Sequence, residues 1–242
     1  MPHMKRLITI LALIVFSFTL SAQNNAEGTI KFLGIPVDGS KEEMISQLKE
    51  KGFSYNSYFE ELTGEFNGMD VALYIRTHHG QVDRVCVVFP SLKERQVIRE
   101  YNSLLSQFQA NEKYIEIIPN SRIPETENIS YEMSVHNKTY GSRFSYISPD
   151  LFTKEEALEM RKMLNGISKM PREEMQNAAQ ALADSLENAM SEVGIEQTLL
   201  TLNRIQSIIS GSVWFTIHED GSQYQLVLYY DNLNNHPHGE DL

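Results

Sequence analysis

The sequence predicts an α+β fold in which antiparallel β-meanders are combined with capped helices. Asn67-Gly68 and Asp220-Gly221 lie between apolar stretches and are typical of tight β-hairpin turns. Ser-x-x-Glu patterns, which are typical of helix starts, precede stretches with apolar residues at helical spacing. The strands also follow one another in groups instead of alternating with helices, which argues against a doubly wound parallel sheet.

The first part of the chain predicts one helix and a group of three strands. A short strand over 30–33 precedes Ser40, which begins a capping box and therefore a helix. Gly52 is expected to end this helix, because glycine readily adopts the left-handed conformation at a helix C-terminus. Strands are then predicted on both sides of the Asn67-Gly68 turn and over 82–89.

The middle of the chain predicts a second helix and about three more strands. Ser91-Leu92-Lys93-Glu94 repeats the capping-box pattern and starts a helix that extends to about Ala110. Strands are predicted over 114–118 and 140–147. Between them, apolar residues at every second position from Ile129 to Val135 predict a further strand.

The last part of the chain predicts helices and a C-terminal hairpin. Thr153 caps a third helix that ends near Gly166, and a longer helical region is predicted from 171 to 209. Two final strands, over 211–217 and 224–230, flank the Asp-Gly turn, and the tail after them is polar.

The element order indicates how the chain is organised. One helix followed by three strands, an αβββ unit, occurs twice, at 40–89 and 91–147. Residues 1–22 are a predicted signal peptide and 23–242 a predicted secreted α+β domain, with candidate sub-units at 30–90, 91–150 and 151–242. Length alone leaves open whether these make one domain or two.

The N-terminus has the three parts of a secretory signal peptide. Lys5 and Arg6 are followed by an uncharged apolar run, Leu7–Leu20, and then by the small residues Ser21 and Ala22. This arrangement predicts cleavage after Ala22, with an uncleaved membrane anchor as the less favoured alternative. We therefore expect a periplasmic or secreted protein that is not embedded in the membrane.

Charge and cysteine content narrow the class further. The chain has 21 Lys and Arg against 32 Asp and Glu, a formal net charge of −11, so nucleic acid is not expected as a partner. Cys86 is the only cysteine, so the chain has no internal disulfide and no cysteine near residue 22 for a lipid anchor. Its place in the apolar run Val85–Phe89 predicts a buried strand residue, with a reactive thiol as the alternative.

Catalytic and metal-binding motifs are absent from the sequence. It contains no G-x-S-x-G, H-E-x-x-H, P-loop, G-x-G-x-x-G, C-x-x-C or EF-hand pattern. We therefore expect no cofactor and no metal, and we predict that the protein is not an enzyme.

Histidines and methionines give weak signals for chemistry. His236-Pro237-His238 lies close to acidic residues and could bind a metal, but a solvated tail is the favoured interpretation. His78-His79 at a hairpin tip could be a ligand pair, and His218 beside Glu219 could be a base, but both are better explained as turn and surface residues. The methionines predicted on C-terminal helices are expected to pack rather than to bind copper: Met160, Met163 and Met175.

Aromatic residues of the last hairpin are the candidate binding surface. Trp214, Tyr224, Tyr229 and Tyr230 lie in the two predicted strands. Tyrosine and tryptophan are enriched at recognition surfaces, although core packing is the alternative for each of them.

Both ends of the predicted mature chain resemble a known group of proteins. Phe32-Leu33-Gly34-Ile35-Pro36-Val37-Asp38-Gly39 resembles the F-x-G-I-P-x-D-G opening of uncharacterised secreted proteins from Bacteroides-type bacteria. The ending, Tyr229-Tyr230-Asp231-Asn232 and Gly239-Glu240-Asp241-Leu242, is similar to the terminus of those proteins. This resemblance implies a Gram-negative periplasmic or secreted setting and implies no particular activity.

The capped helix with its strand meander is also similar to αβββ modules. Such modules occur in β-lactamase-inhibitor proteins and in outer-membrane-assembly lipoproteins, which are non-catalytic protein-binding scaffolds. The chain departs from the lipoproteins in lacking a lipobox cysteine. The similarity is one of fold and carries little weight for function.

Three functions remain open at this point. The leading hypothesis is an exported, non-catalytic interaction module that binds a protein or an envelope glycan on a sheet face or edge. The second is a carrier of a small apolar or amphipathic ligand, which needs an apolar cavity between sheet and helices. The third is a hydrolase without a recognisable motif, which needs His218 or His136 to meet a carboxylate in a cleft.

Overall fold

The computed structural model describes residues 28–118, 121–149, 152–156, 158, 162 and 211–236. The chain divides into two compact units, of which one comprises Thr29–Tyr146 and Ile209–Leu242 and the other Met1–Gly28 and Ile147–Ile208. The strands and helices named below belong to the first unit. No helix among the described residues is long and apolar enough to cross a membrane.

Eight strands of the first unit form one antiparallel sheet, which confirms the predicted α+β fold with antiparallel meanders. The strands are β1 (Lys31–Phe32), β2 (Ile35–Pro36), β3 (Ser54–Asn56), β4 (Glu61–Phe66), β5 (Met69–His78), β6 (Gln81–Val88), β7 (Tyr114–Glu116), β8 (Gly141–Tyr146), β9 (Gly211–Asp220) and β10 (Gln223–Asn232). The helices are α1 (Lys41–Glu50), α2 (Glu94–Ala110) and α3 (Ile129–His136). The order in the sheet is β3-β4-β5-β6-β10-β9-β8-β7, and β1 and β2 form a separate small hairpin.

The sheet consists of two similar halves that meet at β6 and β10. In each half a helix precedes four strands, α1 before β3–β6 and α2 before β7–β10, with α3 between β7 and β8. The second half takes its last two strands from the C-terminal hairpin, which lies next to β6 at the centre of the sheet. Residues 40–89 thus contain four strands where three were predicted, whereas 91–147 contain only two, β7 and β8. The C-terminal hairpin, which lies in the same compact unit as Thr29–Tyr146, supplies the other two strands of the second half.

Tight turns lie where the sequence predicts them. Asn67 and Gly68 have φ angles of 54° and 77° between β4 and β5, and His79 and Gly80 have 48° and 79° between β5 and β6. Gly221 has a φ of 60° between β9 and β10. Positive φ angles of this kind give a hairpin turn the twist that its strands require.

Helix starts are predicted correctly at α1 but not at α2. The Ser40 hydroxyl accepts a hydrogen bond from the Glu43 amide, and the Glu43 carboxylate accepts one from the Ser40 amide. At α2 the predicted cap, Ser91, instead donates its hydroxyl hydrogen to the Asp220 carboxylate at the end of β9. Because this bond ties Ser91 to β9, its hydroxyl does not cap the helix, and α2 begins three residues later, at Glu94.

The strand predicted from Ile129 to Val135 is wrong, because these residues form the helix α3. The Asn128 side chain caps the helix by accepting from the Tyr131 amide, and Asn137 ends it in the left-handed conformation with a φ of 51°. Tyr131 and Val135 are 51% and 54% exposed, so their apolar alternation does not correspond to a buried strand face.

Helices α1 and α2 cover one face of the sheet and form the core with it. Met44 and Leu48 of α1 are buried, as are seven residues of α2. The ring of Phe108 lies 5.3 Å from that of Phe144 and 5.9 Å from that of Phe215, so aromatic side chains fill the space between α2 and the strands. The opposite face, which we call the second face, carries the alternate residues of each strand.

Several predictions lie partly or wholly outside the described residues. In the second unit Thr153 caps a helical stretch at 154–156, as predicted, with its hydroxyl accepting from the Glu156 amide. Residues 158 and 162 are also helical, and the rest of the predicted continuation of this helix to 166 falls outside the described residues. So do the signal peptide at 1–22 and the helical region at 171–209.

Candidate functional site

The structure separates the four predicted binding aromatics into two pairs. Trp214 and Tyr229 are directly opposite each other on β9 and β10 and lie on the second face, partly exposed. Their rings stack, with centroids 3.9 Å apart and planes inclined by 16°. Tyr224 and Tyr230 are each only 7% exposed and belong to the core. The candidate surface therefore narrows to Trp214 and Tyr229.

The stacked pair is the centre of a row that crosses the sheet. Side chains paired directly across antiparallel strands point to the same face, so a line of register partners is a line of neighbours. We call the part of this line from Tyr74 to Arg143 the aromatic row, and its members are Tyr74, Cys86, Tyr229, Trp214 and Arg143. The next register partner beyond Tyr74 is Glu61 of β4. Tyr74 is 40% exposed at one end, and the Arg143 side chain is exposed at the other.

A buried ion pair holds the stacked rings in place. Asp231, only 2% exposed, accepts from Arg84 at both carboxylate oxygens, with Nε–Oδ1 at 2.5 Å and Nη2–Oδ2 at 2.9 Å. The indole Nε1 of Trp214 donates to Oδ2 of the same carboxylate at 2.7 Å. The Arg84 guanidinium lies 5.4 Å from the Trp214 ring centroid and 5.0 Å from that of Tyr229. These contacts fix the orientation of both rings before any partner binds.

A second ion pair lies beside the first, at an irregularity between β5 and β6. The register shifts after Arg76, so Asp83 is an extra residue in β6. Asp83 is fully buried and accepts from Arg76, with Nη2–Oδ2 at 2.6 Å and Nε–Oδ2 at 2.9 Å. We call Arg76, Asp83, Arg84 and Asp231 the charged cluster. Each buried carboxylate in it is neutralised by an arginine, as burial of a charge requires.

The C-terminal segment packs onto this cluster, contrary to the expected solvated tail. Nε2 of His236 lies 3.1 Å from Nη2 of Arg76, 3.7 Å from Oδ2 of Asp83 and 3.8 Å from Oδ1 of Asp231. Only 20% of the His236 side chain is exposed. The second tail histidine, His238, lies outside the described residues.

Burial shifts the pKa of two groups at the site. Burial raises the pKa of the Cys86 thiol to about 11, so the thiol is protonated at neutral pH. Cys86 lies in β6, as predicted, and is partly buried on the second face rather than in the core. Burial also lowers the pKa of His236, an effect that the neighbouring carboxylates oppose and the two arginines reinforce.

The other histidine candidates do not form a site with a carboxylate. His218 is exposed on β9, and His136 is exposed at the end of α3 with its ring 5.3 Å from that of Tyr131. The rings of His78 and His79 are 4.0 Å apart, and His78 bonds a backbone carbonyl through Nδ1. Within the described ranges, no three His, Cys, Asp or Glu residues are grouped so as to hold a metal ion. Met160, Met163 and Met175 lie outside those ranges.

The charged cluster is the part of the site that the sequence analysis missed. Asp83 and Arg84 interrupt an otherwise apolar strand, and Asp231 follows an apolar run in β10. Charges within such runs indicate buried pairs, because an unpaired charge would not be tolerated there. These charges indicate that each has an ion-pair partner in the fold, but they do not identify it. Arg84 and Asp231, for example, are 147 positions apart in the sequence.

Comparison with known proteins identifies no relative. No family model matches the chain, and no curated protein or solved structure matches it at a significant level. The function must therefore be inferred from the geometry of the site.

Proposed function

We propose that the protein is an exported, non-catalytic interaction module that binds a protein or an envelope glycan through the aromatic row. The observation that carries this proposal is the stacked, partly exposed pair Trp214–Tyr229 on the face of the sheet opposite α1 and α2. Tyrosine, tryptophan and arginine are the residues most enriched where proteins recognise partners.

The fixed orientation of the rings supports binding. Trp214 is held by its hydrogen bond to Asp231, and Arg84 lies against both rings. Side chains that are already ordered lose little conformational freedom when a partner docks, so more of the contact energy appears as affinity. Arg143 at the end of the row adds an exposed guanidinium that can donate to a carboxylate, a carbonyl or a hydroxyl group.

Observations in the described residues give less support to the two other functions. A carrier needs a cavity between helices and sheet, but stacked aromatic rings occupy the space under α2. A hydrolase of the expected kind needs His218 or His136 beside a carboxylate, and neither makes such a contact within the described residues. The interaction module therefore remains the function that the geometry supports best.

Binding by single-residue variants tests the proposal. The mature protein is immobilised, and solubilised envelope proteins and purified envelope polysaccharides of a Bacteroides-type bacterium are passed over it in turn. Tyr74→Ala and Arg143→Ala remove exposed ends of the row without touching the Asp231 ion pair, and each is expected to weaken binding about tenfold. Tyr131→Ala is the matched control, because Tyr131 is 51% exposed on α3, which is not part of the sheet and whose Ser130 amide donates to Glu94 of α2.

Two results would count against the proposal. One is that no protein or polysaccharide fraction binds reproducibly. The other is that Tyr74→Ala and Arg143→Ala bind with the affinity of the unmodified protein, or that Tyr131→Ala weakens binding as much as they do.

A further inference from the structure

We propose that the C-terminal segment Leu233–His236 is a pH-responsive clasp on the end of the sheet, closed while His236 is neutral and released when it is protonated. The clasp rests on contacts that are independent of the proposed binding function. It adds a regulatory element to a part of the chain for which the sequence favoured a solvated tail over a metal site.

Asn235 attaches the clasp to the rest of the fold. Its Nδ2 donates to Oδ1 of Asp38 at 2.8 Å and to the backbone carbonyl of Val82 at 2.9 Å. Its own carbonyl accepts from Nδ1 of His78 at 3.1 Å. Asn232, the residue before the segment, is buried, and its side chain donates to the Val37 carbonyl at 2.9 Å. The segment therefore has defined partners in β5, β6 and the loop before α1.

His236 extends this attachment to the charged cluster, and its contact requires a neutral ring. A guanidinium has only donors, so the short contact between Nη2 of Arg76 and Nε2 of His236 is a hydrogen bond only if Nε2 carries a lone pair. The proton of the ring must then be on Nδ1. Protonation at Nε2 would replace this bond with two cationic donors facing each other at 3.1 Å.

Charged and titratable groups from three strands lie near His236. Arg76 and His78 come from β5, Asp83 and Arg84 from β6, and Asp231 from β10. The carboxylates of Asp83 and Asp231 would attract a protonated His236 ring, but each already accepts from an arginine. Nε2 of His236 lies 3.7 Å from the nearest oxygen of Asp83 and 3.8 Å from that of Asp231. These distances are too long for hydrogen bonds, so a protonated ring would lose its bond to Arg76 without gaining another in place.

The sign of the pH dependence follows from the lowered pKa of His236. Burial lowers this pKa below the ordinary value of 6.5, the carboxylates oppose the change, and the arginines reinforce it. A histidine whose pKa is lower in the folded state stabilises its contacts above its ordinary pKa. That stabilisation is lost as the pH falls through the lowered value, so the clasp is closed at neutral pH and opens in acid.

Opening would also change the environment of the aromatic row. Asp231, which lies 3.8 Å from His236, holds both Arg84 and the indole of Trp214. Release of the clasp exposes this carboxylate to water and weakens its hold on the rings. An acidic compartment would thus reduce the order of the binding face.

Hydrogen–deuterium exchange at the amides of residues 233–236 tests the clasp. Protection factors, corrected for the intrinsic pH dependence of exchange, are measured in the full mature protein from pH 8 to pH 5. We expect them to fall about tenfold in the unmodified protein as the bond to Arg76 is lost. His236→Gln should give protection that does not change with pH, because the Gln carbonyl accepts from Arg76 and does not titrate. His236→Ala should give low protection throughout.

A second histidine provides the matched control. His78 also contacts the segment, by donating from Nδ1 to the Asn235 carbonyl, but it does not contact Arg76, so His78→Gln should leave the pH dependence in place. The proposal is overturned if protection in the unmodified protein is constant or rises on acidification. It is equally overturned if His236→Gln keeps the pH dependence or His78→Gln abolishes it. None of these outcomes depends on the identity of a binding partner.

Discussion

Replacing Asp231 with asparagine is the most informative change to the site. Asp231→Asn keeps the shape of the side chain but removes its negative charge. Arg84 then loses its partner carboxylate. Its charge is left largely buried, because only 20% of its side chain is exposed. The indole of Trp214 loses a charged acceptor at the same time.

The expected cost is about 2–4 kcal/mol in the free energy of unfolding. Removing one partner of a buried ion pair typically costs about 3–5 kcal/mol, because the other charge is left uncompensated. The cost is lower here because Arg84 keeps some contact with water and the amide of asparagine can still accept one hydrogen bond. A loss of this size is a large fraction of the stability of an ordinary domain.

Urea denaturation followed by circular dichroism measures this loss. Circular dichroism is preferable to Trp214 fluorescence, because the substitution directly alters the surroundings of the indole. Glu60→Gln is the control, since it breaks the ion pair between Lys41 and the exposed Glu60 and should leave stability unchanged. The double variant Arg84→Met with Asp231→Leu should recover most of the lost stability, because it removes both charges together.

A free energy of unfolding for Asp231→Asn within about 0.5 kcal/mol of that of the unmodified protein would contradict this expectation. Such a result would mean that the Arg84 guanidinium becomes hydrated without cost in free energy. It would also mean that the ion pair does not fix the rings of Trp214 and Tyr229. A double variant no more stable than Asp231→Asn would equally contradict the electrostatic explanation.

Three further predictions concern stability and are checked by the same urea denaturation. Ser40→Ala removes the hydroxyl that accepts from the first turn of α1 and should cost about 1 kcal/mol; no loss would mean that the cap contributes nothing. Gly64→Ala would place a Cβ atom 2.6 Å from Cδ1 of the buried Phe53 and should cost about 1–3 kcal/mol, whereas a neutral effect would show that the ring can move aside. Asn102→Ala leaves the Ile123 amide and carbonyl without their partner and should cost about 2–4 kcal/mol, so a cost below about 1 kcal/mol would imply that water replaces the side chain.

Local signals account for the parts of the fold that the sequence predicts correctly. The Asn67-Gly68 turn and the Ser40 capping box each depend on residues within four positions of one another. Their geometry requires little from the rest of the chain. The hairpin β9–β10 is predicted for the same reason.

Alternation of apolar residues misled the prediction at α3. From Ile129 to Val135 every second residue is apolar, yet only Ile129 of this helix is buried. Apolar residues at every second position indicate a strand only when one face of that strand is buried. Whether it is buried depends on tertiary packing. The flanking Asn128 and Asn137, which cap the helix at its two ends, were the more reliable signal.

Long-range pairing explains why the charged cluster could not be predicted. The cluster exists because β10 lies beside β6, and nothing local specifies that the C-terminal hairpin joins the centre of the sheet. The extra residue in β6 that brings Asp83 beside Arg76 is likewise a property of the paired strands. Sequence could identify Trp214 and Tyr229 as candidates, but not the ion pair that holds them.

Trp214 lies in the middle of the aromatic row and can report directly on whether a partner binds there. Trp214 is the only tryptophan in the chain, so its fluorescence reports on the row alone. Quenching by acrylamide is measured with and without a saturating amount of an envelope fraction that binds the protein. Binding on the row predicts that the quenching constant falls several-fold in the complex, because the partner shields the indole from the quencher. A complex that forms while Trp214 remains as accessible as in the free protein would contradict it.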